Sequence, residues 1–540
     1  MSSAIASSRV VIDGAVVPAT IVFSTTSGKI VEILPEVITK NDPLIAKYDI
    51  QSFRDFTPHV IMPGLVDAHV HLNEPGRTDW EGFATGTQSA AAGGVTTVID
   101  MPLNAIPPTT TVKNLNIKLE SAKGQIWVDT GFWGGLVPDN LEDLLPLINA
   151  GVRGFKGFMM DSGVEEFPMI TPEYISKALD VVKGKNTMLM FHAEMDNEND
   201  SSIEELECDE KHEHVHFDGL KDSQVDALAH SHELHAVEPL SGKTSKLVNH
   251  HEDLITSNEE TPLAIAAKHD VELSDVDPRK YSSFLASRPD SFECTAIKNI
   301  IRCMIGSVEK SGNQPLTKVH IVHLATKEAL PLIKHAKETL LLPLTVETCF
   351  HYLSLKAEDI PDGATQFKCC PPIRSDENRK QLWKALKDGI ITSVVSDHSP
   401  CTPELKGLER GDFFEAWGGI SSVGFGLPLL YTVGTQQFGI EITDIVQWCA
   451  VNTSKQVGLS HRKGRISVGY DADFAIFDTK MEYTVANAKT FFKNKLTAFD
   501  GKVLKGRVLE TILRGNSIYA LGKGVSTVPI GNLILDPRTD

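Results

Sequence analysis

Between about residue 62 and residue 455 short apolar runs alternate with amphipathic stretches, and this repeat constrains the fold more than any other feature of the chain. The runs are VIMPGLVDAHVH, TTVIDM, IWVDTGF, RGFKGFM, TMLMFHAE, VHIVHLA, LTVETCF and ITSVVSDHS; segments such as PEYISKALDVVKG and ENRKQLWKALKDG, which lie between them, carry helical spacing. Strands that alternate with helices pair in parallel. Eight such strands are enough to close a (β/α)8 barrel, whereas a doubly wound sheet uses fewer. The expected fold class is therefore α/β, a TIM barrel. In a barrel the carboxyl ends of the strands converge on one mouth, so residues distant in sequence become neighbours there. Nearly every run in this chain finishes in a polar residue.

The flanks follow a different rule. Residues 1–61 alternate in strand fashion with short turns, and after about residue 455 the chain returns to strands in KGRISVGYDADFAIFD and GRVLETILRGNSIYA. Residues 1–61 and 456–540 are predicted to form one discontinuous β-sandwich domain beside a barrel of residues 62–455, an organisation that suits a chain of 540 residues. One segment fits neither pattern. Residues 197 to about 260 are rich in Glu, Asp and Ser and hold His212, His214, His216, His230, His232, His235, His250 and His251. Their composition reads as a solvated insertion rather than as part of a site.

Charge excludes one class of partner. Lys and Arg number 52 against 71 Asp and Glu, a formal charge of -19 that repels phosphate backbones and argues against nucleic acid. No apolar run is long enough to cross a bilayer, so no membrane partner is expected. The start, MSSAIASSRVVIDGAVVPATIVF, reads as strand rather than signal peptide, and the end, LDPRTD, carries no peroxisomal or reticulum address. Eight cysteines are scattered without metal-finger spacing, and the adjacent pair Cys369–Cys370 cannot form an ordinary bridge. A reducing, cytoplasmic setting and a small-molecule ligand are expected.

His69 and His71 lie two apart in a strand, so both side chains reach one face and one ion. Alone this is a weak signal. Lys156 stands in RGFKGFM, a strand otherwise largely apolar or glycine, where a buried ammonium needs a partner. A buried neutral lysine can instead combine with CO2 to give a carbamate, an anionic oxygen ligand able to bridge two metals. His192, His323 and Asp397 each sit at the carboxyl end of another strand, which gives six candidate ligands from five strands. Each has an ordinary structural reading: His192 or His323 as a satisfied core residue, Lys156 as a snorkelling side chain, Asp397 as a helix cap ahead of Pro400. Their shared placement at strand ends favours the metal reading. His320 is expected to face away from His323, His398 away from Asp397, and His351 to pack or support. Two metals sharing a bridging water make hydroxide at neutral pH and polarise a carbonyl, the arrangement of a hydrolase. Asp397 would then take the proton from that water and pass it to the leaving nitrogen. No phosphate loop or serine elbow offers a competing chemistry.

The set HVH at 69–71, Lys156, His192, His323 and Asp397 resembles the metal-dependent cyclic amidohydrolases, and the likeness runs through YSSFLASRPDSFECTAI, VETCFHYLSL, KCCPPIR and GRISVGYDADFAIFD. Within that superfamily HVHLNEPGRTDWEGFATGTQSAAAGGVTTVIDMPLN, SDHSPC, WGGISS and GRVLETILRG resemble the allantoinase family. The resemblance implies two divalent ions, most commonly Zn2+, with CO2 fixed on Lys156 as N6-carboxylysine. It implies that His69, His71 and Asp397 hold the more buried ion and His192 and His323 the other. It also implies hydrolysis of the ring amide of allantoin to allantoate in purine breakdown, and barrels of this size often form homo-oligomers.

Near relatives differ at single positions. Dihydroorotases place Arg where this chain has Asn73, and that Arg pairs with a substrate carboxylate that allantoin lacks. Dihydropyrimidinases and hydantoinases carry Tyr five residues after the metal lysine, here Asp161. By position, Asn73, Ser162 and Cys369 are candidate substrate contacts. The chain departs from the allantoinase pattern in its insertion and in Phe350, where proline is common in ETCxHYL. A metal-free, non-catalytic relative is the alternative outside enzymology, but such proteins lose ligands and none of the six is missing.

Overall fold

The computed structural model describes residues 1–196, 276–310 and 315–539, so the His-rich segment at 197–260 lies outside the described residues. Eight strands follow one another in chain order: β1 Leu65–Val70, β2 Val95–Asp100, β3 Asp129–Phe132 with its continuation Gly134–Gly135, β4 Phe155–Phe158, β5 Met188–His192, β6 Lys318–Ile321, β7 Leu344–Cys349 and β8 Ser393–Val395. All neighbouring pairs are parallel, with Thr97 opposite Asp129, Lys156 opposite Met190, Met190 opposite His320 and Thr348 opposite Val394. Backbone hydrogen bonds carry the circuit past Trp133, whose N–H donates to Asp100 (3.0 Å), and Arg153 N–H donates to Phe132 (2.8 Å). The circuit closes where His71 N–H donates to the carbonyl of His398 at 2.8 Å and Val70 bridges the same residue. The α/β barrel expected from the repeat is present.

The strands form where they were expected because parallel strands covered by helices are buried on both faces and so read as continuous apolar runs. Every residue of β1 and β2 is buried. The two quoted helical segments also fold as helices. Pro172–Val181 starts at Thr171, whose hydroxyl accepts from Tyr174 N–H, and Asp376–Lys387 starts at Ser375, whose hydroxyl accepts from Asn378 N–H. Asp376 and Glu377 in its first turn, and Lys384 and Lys387 in its last, complement the helix dipole. Phe350, the departure from the ETCxHYL pattern, opens a short helix and is buried against Gly426; a β-carbon there would lie 2.1 Å from its ring, so the glycine makes room for it.

Segments from both ends of the chain pair into one nine-stranded sheet. Val60–Pro63 joins them: it runs antiparallel to Phe474–Thr484 on one side and pairs in parallel with Ser2–Ile12 on the other, then leads through Gly64 into β1. Part of the sheet encloses a core of its own, with Ile5, Ile21, Phe23, Ile61, Phe474 and Ile512 in contact. An ion-pair cluster ties this region to the barrel: the ammonium of Lys463 lies 2.8 Å from Asp129 at the start of β3, 3.1 Å from Asp471 and 2.6 Å from Asp473. Among the described residues seven cysteines are free and five of those are buried. Among them too, no helix is long and apolar enough to cross a membrane.

Candidate active site

β1 delivers the first two candidate ligands to the barrel mouth. His69 Nε2 lies 3.1 Å and His71 Nε2 3.5 Å from Asp397 Oδ1, which sits two residues beyond β8. Ligand atoms of the three residues all fall within 4.8 Å of one another, and all three side chains are buried. The imidazoles continue as a chain: His71 to His69 at 5.5 Å between ring centres, His69 to His323 at 5.5 Å, and His323 to His192 at 4.6 Å. Phe158 stacks on His192 at 4.5 Å, and the amine of Lys156 lies 4.8 Å from the Phe158 ring. The charge of Lys156 is felt by His71, His192 and His323, which places it among them.

Neighbours fix these rings from behind. Glu347 Oε1 contacts His69 Nδ1 at 2.6 Å, Glu194 Oε2 contacts His192 Nε2 at 2.5 Å, and Asn104 Nδ2 donates toward His71 Nδ1 at 3.4 Å. Arg288 Nη1 in turn donates to Glu194 Oε2 at 2.8 Å. In His69, His192 and His71 one nitrogen is thus engaged, and in His69 and His71 the other lies toward Asp397, the arrangement that orients metal-binding histidines. His69 Nε2 is not aligned to hydrogen-bond with Asp397 despite their closeness, and His323 Nδ1 also has no hydrogen-bond partner. Buried nitrogens left without partners are costly unless something else satisfies them. Four imidazoles, a carboxylate and a lysine make a donor set that fits a pair of divalent ions.

The electrostatics agree. Burial lowers the pKa of His71 to about 4, and burial with the nearby Lys156 charge holds His323 well below the ordinary histidine value, so both rings are neutral and free to donate lone pairs. Burial opposes charge on His69, but Asp397 and Glu347 outweigh it and raise its pKa; a metal ion bound by this ring would compete with that proton. Burial works to raise Asp397, yet His69 and His71 hold its carboxyl well below the usual range. Burial lowers Lys156 to about 8, with Asp397 and Glu347 only partly opposing it.

Strain marks the same place. Asn73 (φ 63°), Asn104 (φ 65°), His323 (φ 40°) and Asp397 (φ 43°) all adopt the left-handed region that non-glycine residues avoid. Such backbone is kept where the surroundings over-determine it; Asp13, Asp49, Asp139, Leu341 and Arg514 share the region outside this cluster. The turn at His323 corrects the reading of His320. Instead of facing away, His320 Nε2 contacts Glu347 Oε2 at 3.0 Å, on the carboxylate that also holds His69. A left-handed residue breaks strand alternation, so a spacing of three no longer separates the two rings. His398 does turn away, with Nε2 3.2 Å from Glu81 and Nδ1 accepting from Ser422 N–H.

The three remaining candidates differ in what their side chains have free. Asn73 is buried, donates through Nδ2 to the Pro400 carbonyl at 3.3 Å, and has no partner at Oδ1. Ser162 donates its hydroxyl to the Phe167 carbonyl (2.6 Å), and the Cys369 thiol donates to the Pro371 carbonyl (3.3 Å). Both side chains are engaged within their own loops. Glu347, Glu194, Asn104 and Arg288 were not anticipated from sequence. Glu347 interrupts the apolar run LTVETC and Glu194 follows His192 by two residues, signals that only gain meaning once the ring they serve is placed.

Comparison with known proteins gives the lineage. The sequence profile of the Amidohydrolase family matches residues 60–277 and 295–518. The chain is 52% identical to an allantoinase of Saccharomyces cerevisiae over 536 residues, which covers 99% of each protein. It is 38% identical to an allantoinase of Arabidopsis thaliana over 478 residues, 87% of this chain and 80% of that one. Among solved structures, L-hydantoinase (dihydropyrimidinase) from Arthrobacter aurescens superposes with a TM-score of 0.77 at 22% identity, covering 99% of this chain and 100% of that one.

Proposed function

The chain belongs to the amidohydrolase family, and we propose that it opens the hydantoin ring of allantoin with water to give allantoate, a step of purine catabolism. The observation that carries this reading is the group of His69, His71 and Asp397, with His323, His192 and Lys156 beside it, in a chain that follows an allantoinase over 99% of its length. The cluster would hold two divalent ions, with His69, His71 and Asp397 on one, His192 and His323 on the other, and Lys156 between them as its CO2 adduct. Zinc suits this donor set. When bound, such ions supply a water acidic enough to attack at neutral pH and a Lewis acid for the carbonyl.

The protein's own residues do the rest. Asp397, kept ionised by His69 and His71, accepts the proton of the attacking water at a carboxylate oxygen and returns it to the departing ring nitrogen. Glu347 and Glu194 fix the tautomer and direction of His69 and His192. Asn73 Oδ1, buried and unpartnered, offers an acceptor to a ring N–H of an uncharged substrate. Cys369 and Ser162 would contribute through backbone, since their side chains serve their own loops. The free and largely buried cysteines suit a reducing, cytoplasmic setting.

The test is allantoate release from allantoin by protein prepared with zinc and bicarbonate, with hydantoin and dihydroorotate in parallel and metal content measured on the same sample. Turnover of allantoin above both rivals is the expected result. Bound metal with preference for hydantoin or dihydroorotate would overturn the substrate, and absence of metal would overturn the chemistry. Asp397→Asn should lower kcat by on the order of 100-fold or more while KM changes little.

A further inference from the structure

We infer that Cys349, His351 and Asp397 form a second, adjoining site for a soft divalent cation, one whose occupation stops Asp397 from accepting the proton that hydrolysis releases. A ligand atom of each, thiol sulphur, imidazole nitrogen and carboxylate oxygen, lies within 4.8 Å of the other two, and all three residues are buried. Cys349 ends β7 and His351 belongs to the short helix Phe350–Ser354 that follows it, so the sequence Cys-Phe-His places both beside Asp397 at the barrel mouth. An independent observation points to a ligand: both ring nitrogens of His351 are buried and neither has a hydrogen-bond partner. A neutral imidazole has one donor and one acceptor to satisfy, and leaving a buried polar group unpaired costs about 1–3 kcal/mol. His71 and His192 each have a neighbour on the nitrogen that faces away from the cluster; His351 has none on either.

A third group with ligand atoms equally close, Asp129, Asp471 and Asp473, behaves differently because the ammonium of Lys463 already lies within 3.1 Å of each carboxylate. That group has its cation. The Cys349 group instead combines a thiol and an imidazole with one carboxylate, a set that selects thiophilic ions such as cadmium, mercury or zinc in excess over magnesium or calcium. Binding breaks the Cys349 S–H bond, releases that proton to solvent and forms a sulphur–metal bond, while His351 and Asp397 donate lone pairs. Asp397 is common to this site and to the hydrolytic cluster: Oδ1 faces His69 and His71, and the other carboxylate oxygen, once bound to the added cation, is no longer free to take a proton.

Cadmium chloride is the probe. Titrated into the holoenzyme, it should add one equivalent beyond the native metal content, generate a thiolate-to-cadmium charge-transfer band in the ultraviolet, and lower turnover on the order of 100-fold in parallel with that band. Cys349→Ser should remove the extra equivalent and the band and keep turnover at the cadmium concentration that silences the parent. Cadmium that rises only as native metal falls would overturn the site, as would equal inhibition of Cys349→Ser. If that variant does not fold, X-ray absorption at the cadmium edge of the wild-type protein decides: a sulphur neighbour supports the site, and oxygen and nitrogen neighbours alone overturn it. Metal count and band do not depend on which cyclic amide is the substrate, so failure here is distinct from failure of the allantoin reading.

Discussion

Two lysines of this protein are equally buried and electrostatically opposite. Lys463 sits among Asp129, Asp471 and Asp473, and although burial works against its charge, those carboxylates raise its pKa. Lys156 sits among imidazoles, with Asp397 and Glu347 too weakly placed to offset burial, and its pKa falls to about 8. Burial alone therefore does not make a lysine reactive; what decides is whether carboxylates close around it. Lys463 is a locked point charge joining the barrel to the flanking sheet. Lys156 presents a substantial fraction of neutral amine near physiological pH, the form that combines with CO2.

The sharpest way to break this contrast is to remove Lys156. Lys156→Ala should lose the metal complement and lower turnover roughly a thousandfold or more, with partial rescue by short carboxylic acids that replace the missing bridge. Undiminished metal content would remove the carbamate from the mechanism. Next in size is stability. Lys463→Met takes the shared cation from three buried carboxylates, leaving Arg514 on Asp129 and Lys29 on Asp471 but, among the described residues, no ion-pair partner on Asp473, and should cost about 3–5 kcal/mol, whereas Lys156→Met in metal-free protein should cost little or stabilise, because an unpaired buried base is removed. Denaturant unfolding of the two variants side by side measures the difference, and similar losses for both would undo the comparison.

The same contrast shows what the sequence could convey. The eight barrel strands were legible because burial on both faces leaves continuous apolar runs, and the six candidate residues because each interrupts or ends such a run with a polar group. Lys156 stood out for that reason. Lys463 lies in HRKGRISVG, where a lysine between Arg462 and Arg465 looks like surface charge, and only the approach of Asp129 from β3 makes it a buried centre. Glu347 and Glu194 carry no spacing signature of their own, since a carboxylate that orients a ring is defined by tertiary contact. The position of His320 was misread because strand alternation assumes regular backbone, and the left-handed turn at His323 suspends it. Ser162 and Cys369 matched by position, but their side chains are engaged by carbonyls of their own loops, which spacing does not reveal.

A smaller effect tests whether the surroundings of Lys156 matter as well as its burial. Glu347→Gln keeps the size of the side chain but weakens its hold on His69 and His320 and removes one of the charges that opposes the lowering of Lys156. Metal affinity should fall about 10- to 100-fold by equilibrium dialysis, the usual cost of losing a carboxylate behind a metal-binding histidine. Retention of full affinity would show that His69 is oriented by packing alone.

The smallest expected effect is the most direct reading of the contrast. A neutral amine is the form of lysine that attacks CO2, and with the pKa of Lys156 lowered to about 8 the population of that form rises with pH below that value and levels off above it. At fixed dissolved CO2, the initial rate of carbamate formation in metal-free protein, which follows the neutral amine, should therefore increase about tenfold for each pH unit up to about pH 8 and little thereafter, the proton lost from nitrogen going to solvent. An ordinary surface lysine would keep rising to well above pH 10. The rate of labelled-CO2 incorporation, followed by carbon NMR, gives the profile, and Lys156→Ala identifies the signal. A curve that continues upward past pH 9 would place Lys156 among ordinary lysines, and burial would then no longer account for its reactivity.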